Sequence, residues 1–131
     1  MKKRVTKQKQ IILETIREDR SHPTMADIYK KVQNKNQKIG QATVYRNINE
    51  LVESNEIEKI TDLSGQFHFD GNENKHYHLL CTNCQKIFDI FDENYSSIIS
   101  TVASNNEFMI TDVKITCLGL CSTCKELLSK K

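Results

Sequence analysis

The chain has 131 residues, 37% of them hydrophobic and 27% charged, which fits a soluble protein of one domain or two very small ones. No apolar run approaches the ~18–20 residues that cross a bilayer, and the basic opening from Met1 to Gln10 lacks the apolar stretch of a signal peptide; no membrane contact and a cytoplasmic location are expected. The net charge of +2 hides 13 Lys/Arg against 8 Asp/Glu in residues 1–60 and 6 against 9 thereafter, so the first part suits a polyanion and the rest suits cations or a partner subunit.

Periodicity predicts a helix over 10–17, with Ile11, Ile12, Leu13 and Ile16 supplying an apolar face and Thr6 a plausible N-cap. Ser21-His22-Pro23-Thr24 breaks it, and Thr24 can cap a second helix over 25–32. A polar stretch over 34–40 leads to a third helix from about 41 to 54, with Val44, Ile48, Leu51 and Val52 facing inward. Alternation over 57–60 and 66–69, around the turn Asp62-Leu63-Ser64-Gly65, predicts a hairpin. Three helices and a hairpin outline a winged helix-turn-helix. The polar, Gly-containing stretch 70–75 reads as a hinge.

The second half mixes elements. Strands are expected over 78–80 and 86–90, a helix over 95–104, a β-rich stretch over 108–118 and a short helix over 122–129. The expected class is α+β, with a winged-helix DNA-binding domain over 1–69 and a small α/β domain over 76–131.

Cys81-Thr82-Asn83-Cys84 and Cys121-Ser122-Thr123-Cys124 are two CxxC knuckles. Four thiolates so paired match the tetrahedral preference of structural Zn2+. Cys117 has no such partner and reads as a small core residue. His76-Tyr77-His78 sits on an expected strand, where alternate side chains share a face, so both imidazoles can reach one ion. Asp89 follows on the neighbouring strand and Asp70 lies at the hinge; imidazole with carboxylate suits Fe2+, Mn2+ or Zn2+. On the third helix Gln41, Thr43, Tyr45 and Arg46 form an outer face suited to a major groove of double-stranded DNA.

Arg4-Val5-Thr6 with Gln8, His22-Pro23-Thr24-Met25-Ala26-Asp27-Ile28-Tyr29, Ala42-Thr43-Val44-Tyr45-Arg46, and the run from His76 to Ile87 together resemble the ferric uptake regulator (Fur) family over nearly the whole chain. That resemblance implies a homodimeric, metal-responsive repressor, not an enzyme, whose C-terminal domain dimerises. It implies a regulatory Fe2+ or Mn2+ site of His22, Asp70, His76, His78 and Asp89, a structural zinc on Cys81, Cys84, Cys121 and Cys124, and a phosphate contact from Arg4. Three His and two Asp look most like the peroxide-responsive subgroup (PerR), in which hydrogen peroxide is the signal and His22 or His76 the oxidised ligand. His68 is not a usual ligand of the family and reads either as a substitute or as a wing residue. The rival readings are an iron-, manganese- or zinc-uptake repressor without peroxide chemistry and, from another class, a zinc metallohydrolase.

Overall fold

The computed structural model describes residues 6–104 and 107–129. The chain divides into two compact units, residues 1–73 and 74–131. Among the described residues no helix is long and apolar enough to cross a membrane.

The first unit is helix, helix, helix, hairpin: α1 (Lys7–Glu18), α2 (Met25–Lys35), α3 (Gln41–Glu53), β1 (Glu58–Thr61) and β2 (Phe67–Asp70). Local signals set these boundaries. The Thr6 hydroxyl accepts the Lys9 amide at 3.1 Å and opens α1. Thr24 and Asp27 form a reciprocal capping box that opens α2. The helices close on a core of Ile12, Leu13, Ile16, Ile28, Val32, Val44, Ile48 and Leu51, with Phe69 inserted from the hairpin. Burying each such side chain is worth about 1.5–3 kcal/mol. Lys9 crosses from α1 to Glu50 on α3 in a 3.0 Å ion pair, which ties the outermost helix to its support.

The hairpin is antiparallel, with Ile60 opposite His68 and Glu58 opposite Asp70. Asp70 is thus the last residue of a strand and is buried. The three residues after it also lodge on the first unit. Gly71 lies so close to α1 that a Cβ there would stand 2.9 Å from the Arg17 amide nitrogen, and Glu73 pairs with Arg17 at 3.1 Å.

The second unit is built on a three-stranded sheet, β3 (Tyr77–Cys81) between β4 (Ile87–Ile90) and β5 (Thr116–Gly119). β3 runs antiparallel to β4 and parallel to β5. Helices α4 (Tyr95–Ala103) and α5 (Ser122–Ser129) complete it.

Two expectations need correction here. Of the β-rich run over 108–118, only residues 116–118, the start of β5, form a strand among the described residues. Phe108 and Met109 are 66% and 91% exposed, while Ile110, Val113 and Ile115 are half-buried, so only the later part of the alternation has a covered face. Cys117 is half-buried on β5 opposite Leu79 rather than in a core.

Candidate metal centres and the outer helix

The four-cysteine group follows from the sheet. Cys81 ends β3, a tight turn closed by the Gln85 amide on the Cys81 carbonyl at 2.9 Å brings Cys84 back, Cys121 follows β5, and Cys124 lies in the first turn of α5. Their four sulfurs lie within 4.8 Å of one another, with Cys84 Sγ and Cys121 Sγ 3.9 Å apart. A zinc–sulfur bond of ~2.3 Å gives tetrahedral edges of about 3.8 Å, so the cluster fits the ion with small adjustments. Backbone amides prepare it. The Cys121 amide donates to Cys81 Sγ at 3.4 Å and the Cys84 amide at 3.5 Å. These bonds, the Cys121 amide first, hold the Cys81 thiol down at about 5, so it offers a thiolate. The Asn83 amide donates to Cys124 Sγ at 3.3 Å and draws that thiol down, yet burial and the other sulfurs together raise it to about 11. Four thiols crowded without a cation resist ionising together, and a divalent ion relieves that conflict.

His22 is buried and adopts the left-handed region at φ 59°, which costs a residue with a Cβ about 1–2 kcal/mol. Its Nε2 faces Asp70 Oδ2 at 3.5 Å. The other Asp70 oxygen accepts the Asn72 amide at 2.8 Å, which fixes the carboxylate. Both side chains are under 10% exposed, so an ion here would meet donors already held and largely dry.

The second unit has its own imidazole–carboxylate set. Register explains it: His78 lies directly opposite Asp89 across the β3–β4 ladder. His76 stands just before β3, and its ring packs edge-on against that of His78 with centroids 4.6 Å apart. Asp89 Oδ1 is 2.8 Å from His76 Nε2 and 3.5 Å from His78 Nε2. His76 Nδ1 donates to the Asn74 carbonyl at 2.7 Å, which leaves Nε2 as the coordinating nitrogen. Phe91 stacks on the His76 ring at 4.7 Å and limits its rotation. Nitrogen and carboxylate donors without thiolate suit Fe2+ or Mn2+.

On α3, Gln41 and Arg46 are exposed, and Thr43 and Tyr45 are half-buried. The Gln41 amide donates to the Tyr45 hydroxyl at 3.0 Å, so the two present one polar edge. Buried Asn47 donates to the Thr43 carbonyl at 2.8 Å and turns away from that edge. Arg4 lies outside the described residues.

The sequence profile of the ferric uptake regulator family matches residues 1–118. The chain belongs to that family. The peroxide operon regulator of Bacillus subtilis (strain 168) is 31% identical over 94% of this chain and 85% of its own length. The peroxide-responsive repressor PerR of Staphylococcus epidermidis (strain ATCC 12228 / FDA PCI 1200) is 29% identical over 94% and 82%. Among solved structures, the Campylobacter jejuni peroxide stress regulator superposes with a TM-score of 0.77 at 23% identity, covering 89% of this chain and 88% of that one. That last likeness is one of fold. As a Fur-family protein the chain is a metal-responsive transcriptional regulator, not an enzyme. The metallohydrolase reading falls with it.

One constellation escaped the sequence. His68 bonds both the His22 carbonyl and the Asp62 carboxylate, each at 2.7 Å. Nothing in its spacing announces this. The only signals were the Asp-x-Ser-Gly turn and the placement of His68 two residues before Asp70 on one strand.

Proposed function

We propose that this Fur-family regulator is a peroxide-sensing repressor. In this reading His22, Asp70, His76, His78 and Asp89 hold one regulatory Fe2+ or Mn2+, and the four cysteines hold a structural zinc. The observation that carries it is the separation of donor types. A buried His/Asp pair stands in the first unit and two buried His with a half-buried Asp in the second, while the clustered thiols are gathered in another group. The kinship with peroxide regulators and the short carboxylate at Asp89 favour peroxide over metal uptake as the signal.

Bound Fe2+ would supply electrons to hydrogen peroxide, which Mn2+ does poorly. The residues then decide where oxidation lands. His22 and His76, whose rings are held by fixed partners, would be the side chains to take the oxygen: one peroxide oxygen would enter an imidazole C–H and the other leave as water, the two electrons coming from that ring and the electron lent by iron being returned to it. An oxidised ring no longer offers the same nitrogen donor, metal affinity falls, and the repressor releases DNA. Metal and DNA favour the same state and therefore tighten each other's binding.

Fur-family regulators are dimeric and bind DNA operators. In this chain Gln41, Thr43, Tyr45 and Arg46 on α3, with Arg4, are the proposed double-stranded DNA contacts, and residues 76–131 the dimerisation domain. The second unit supports a homodimer: Val102, Phe108, Met109, Leu118 and Leu127 are all more than 40% exposed on a unit with little core. A cytoplasmic location goes with this role.

The test is mass spectrometry of anaerobically prepared Fe2+-loaded protein after a peroxide pulse. A one-oxygen adduct on a His22 or His76 peptide is expected, with the Mn2+ form spared. Oxidation confined to cysteine would replace this reading with a metal-uptake repressor of the same family. In a gel-shift titration, His22→Ala should lose metal-dependent DNA binding while the dimer and its zinc persist.

A further inference from the structure

His68 sits at the centre of a connection inside the first unit that the ligand set does not use. It lies on β2 opposite Ile60, with Phe69 beside it turned into the core. Alternation therefore places His68 and Asp70 on the same face of the strand, toward the segment that carries His22. That segment is held at three points. Its Pro23 carbonyl accepts the Phe69 amide at 2.9 Å. The His22 carbonyl accepts from His68 Nδ1 at 2.7 Å. The His22 ring faces Asp70 at 3.5 Å. One strand thus grips both the backbone and the side chain of a residue whose φ is positive.

The other end of the His68 ring reaches the wing tip. His68 Nε2 donates to Asp62 Oδ2 at 2.7 Å. The same carboxylate takes the Ser64 amide at 2.9 Å, the Ser64 hydroxyl at 2.7 Å and the Gln66 amide at 2.9 Å, so it organises the whole turn between β1 and β2. Those donors, Ser64 first and His68 next, hold the Asp62 carboxyl well below the usual carboxylate range. Both ring nitrogens of His68 face oxygen atoms that only accept, so a flipped ring, presenting carbon at each end, would lose both contacts. The ring is mostly covered, with a side-chain exposure of 19%.

We infer that His68 is a positioning residue which joins the His22–Asp70 donors to the wing tip, so that metal bound at His22 also orders the turn at Asp62–Gln66. The inference rests on the reading that His22 and Asp70 bind the regulatory metal. It gives His68 a role as neither ligand nor DNA contact. Partners that orient metal ligands typically matter by 10–100-fold in affinity.

The test uses Mn2+ alone as probe on the full zinc-loaded protein. Free Mn2+ is followed by its electron paramagnetic resonance signal, and wing order by hydrogen exchange at the Ser64 and Gln66 amides. His68→Asn keeps a donor at the δ position, toward the His22 carbonyl; His68→Gln keeps one at the ε position, toward Asp62. His68→Leu keeps neither. The Mn2+ dissociation constant should rise ~10–100-fold in His68→Leu, rise similarly in His68→Gln and stay near wild type in His68→Asn. Mn2+ should slow exchange at Ser64 and Gln66 in the wild type and not in any of the three variants, since each breaks the connection at one end at least.

Zinc content and thermal midpoint identify a variant that has merely unfolded. In that event Asp62→Ala, which spares the His22 side, should keep Mn2+ affinity and lose the wing response. Equal affinity loss in the Asn and Gln variants would mark His68 as a general structural residue and overturn the inference. So would a wing response that survives in the variants. A wild-type protein that binds no Mn2+ beyond its zinc would instead overturn the ligand assignment itself.

Discussion

At the scale of single residues, contact distance decides what each position tolerates. Gly71 is the clearest case: an added Cβ would meet the Arg17 amide nitrogen at 2.9 Å and its Cα at 3.0 Å, both backbone atoms that cannot swing aside. Gly71→Ala should therefore lower the stability of the first unit by about 1–3 kcal/mol, the usual cost of overpacking. Urea unfolding followed by the tyrosine signal would measure it, and an unchanged midpoint would mean that α1 shifts freely. Asp62 makes a prediction about pH. Its carboxyl is held below the ordinary 3.8, chiefly by Ser64 and then His68, so the unfolded chain takes up its proton first as acid is added. Its contribution is complete above the unfolded value and drains away as pH falls below it. Between pH 5 and pH 3, the wild type should lose more stability than Asp62→Asn, whose side chain does not titrate. Thermal unfolding of the two proteins across that range checks the difference.

At the scale of elements, what was legible in the sequence is what local chemistry alone determines. Thr6 and Thr24 announced the starts of α1 and α2 because a cap acts within four residues. The hairpin was legible from alternation around an Asp-x-Ser-Gly turn, and the zinc group from two CxxC spacings. Asp89 was legible as a candidate, but its place beside His78 is a matter of register, which spacing does not fix. The His68 connection was not legible at all, since it spans 46 residues to His22 through a side chain. The run over 108–115 misled for a related reason: its apolar alternation is genuine, but among the described residues it forms no strand, and its contact with β3 is the single bond from the His78 amide to the Ile115 carbonyl at the run's end. The capping box offers a direct check at this scale. Thr24→Ala removes the acceptor for the Asp27 amide and should cost the first unit about 1 kcal/mol, with α2 fraying from its first turn. Hydrogen exchange should show the change at Asp27 and leave α3 as it was.

At the scale of the whole molecule, charge looks different once the compact units are known. Cut at residue 60, the first part carries 13 basic against 8 acidic residues. Carrying the cut to residue 73 adds Asp62, Asp70 and Glu73 and no basic residue, which shrinks the excess. Yet all three acids face partners inside that unit: Asp62 meets His68, Asp70 meets His22 and Glu73 meets Arg17. The Arg17–Glu73 pair cancels one charge of each sign, so the excess stays at 13 basic against 11 acidic residues, and the unit's basic character toward DNA rests on where its exposed cations stand. Arg46 is the exposed cation on the outer edge of α3, and its worth can be read without knowing the operator. Each phosphate neutralised contributes about −0.9 to the slope of log affinity against log salt. Fluorescence anisotropy with a mixed-sequence duplex and Mn2+-loaded protein should give a slope about 0.9 shallower in Arg46→Ala, with weaker binding at every salt concentration. Tyr45→Phe removes a hydroxyl and no charge, so its slope should match the wild type even where affinity drops. A full slope retained in Arg46→Ala would move the phosphate contact off α3 and leave the basic N-terminal segment to supply it.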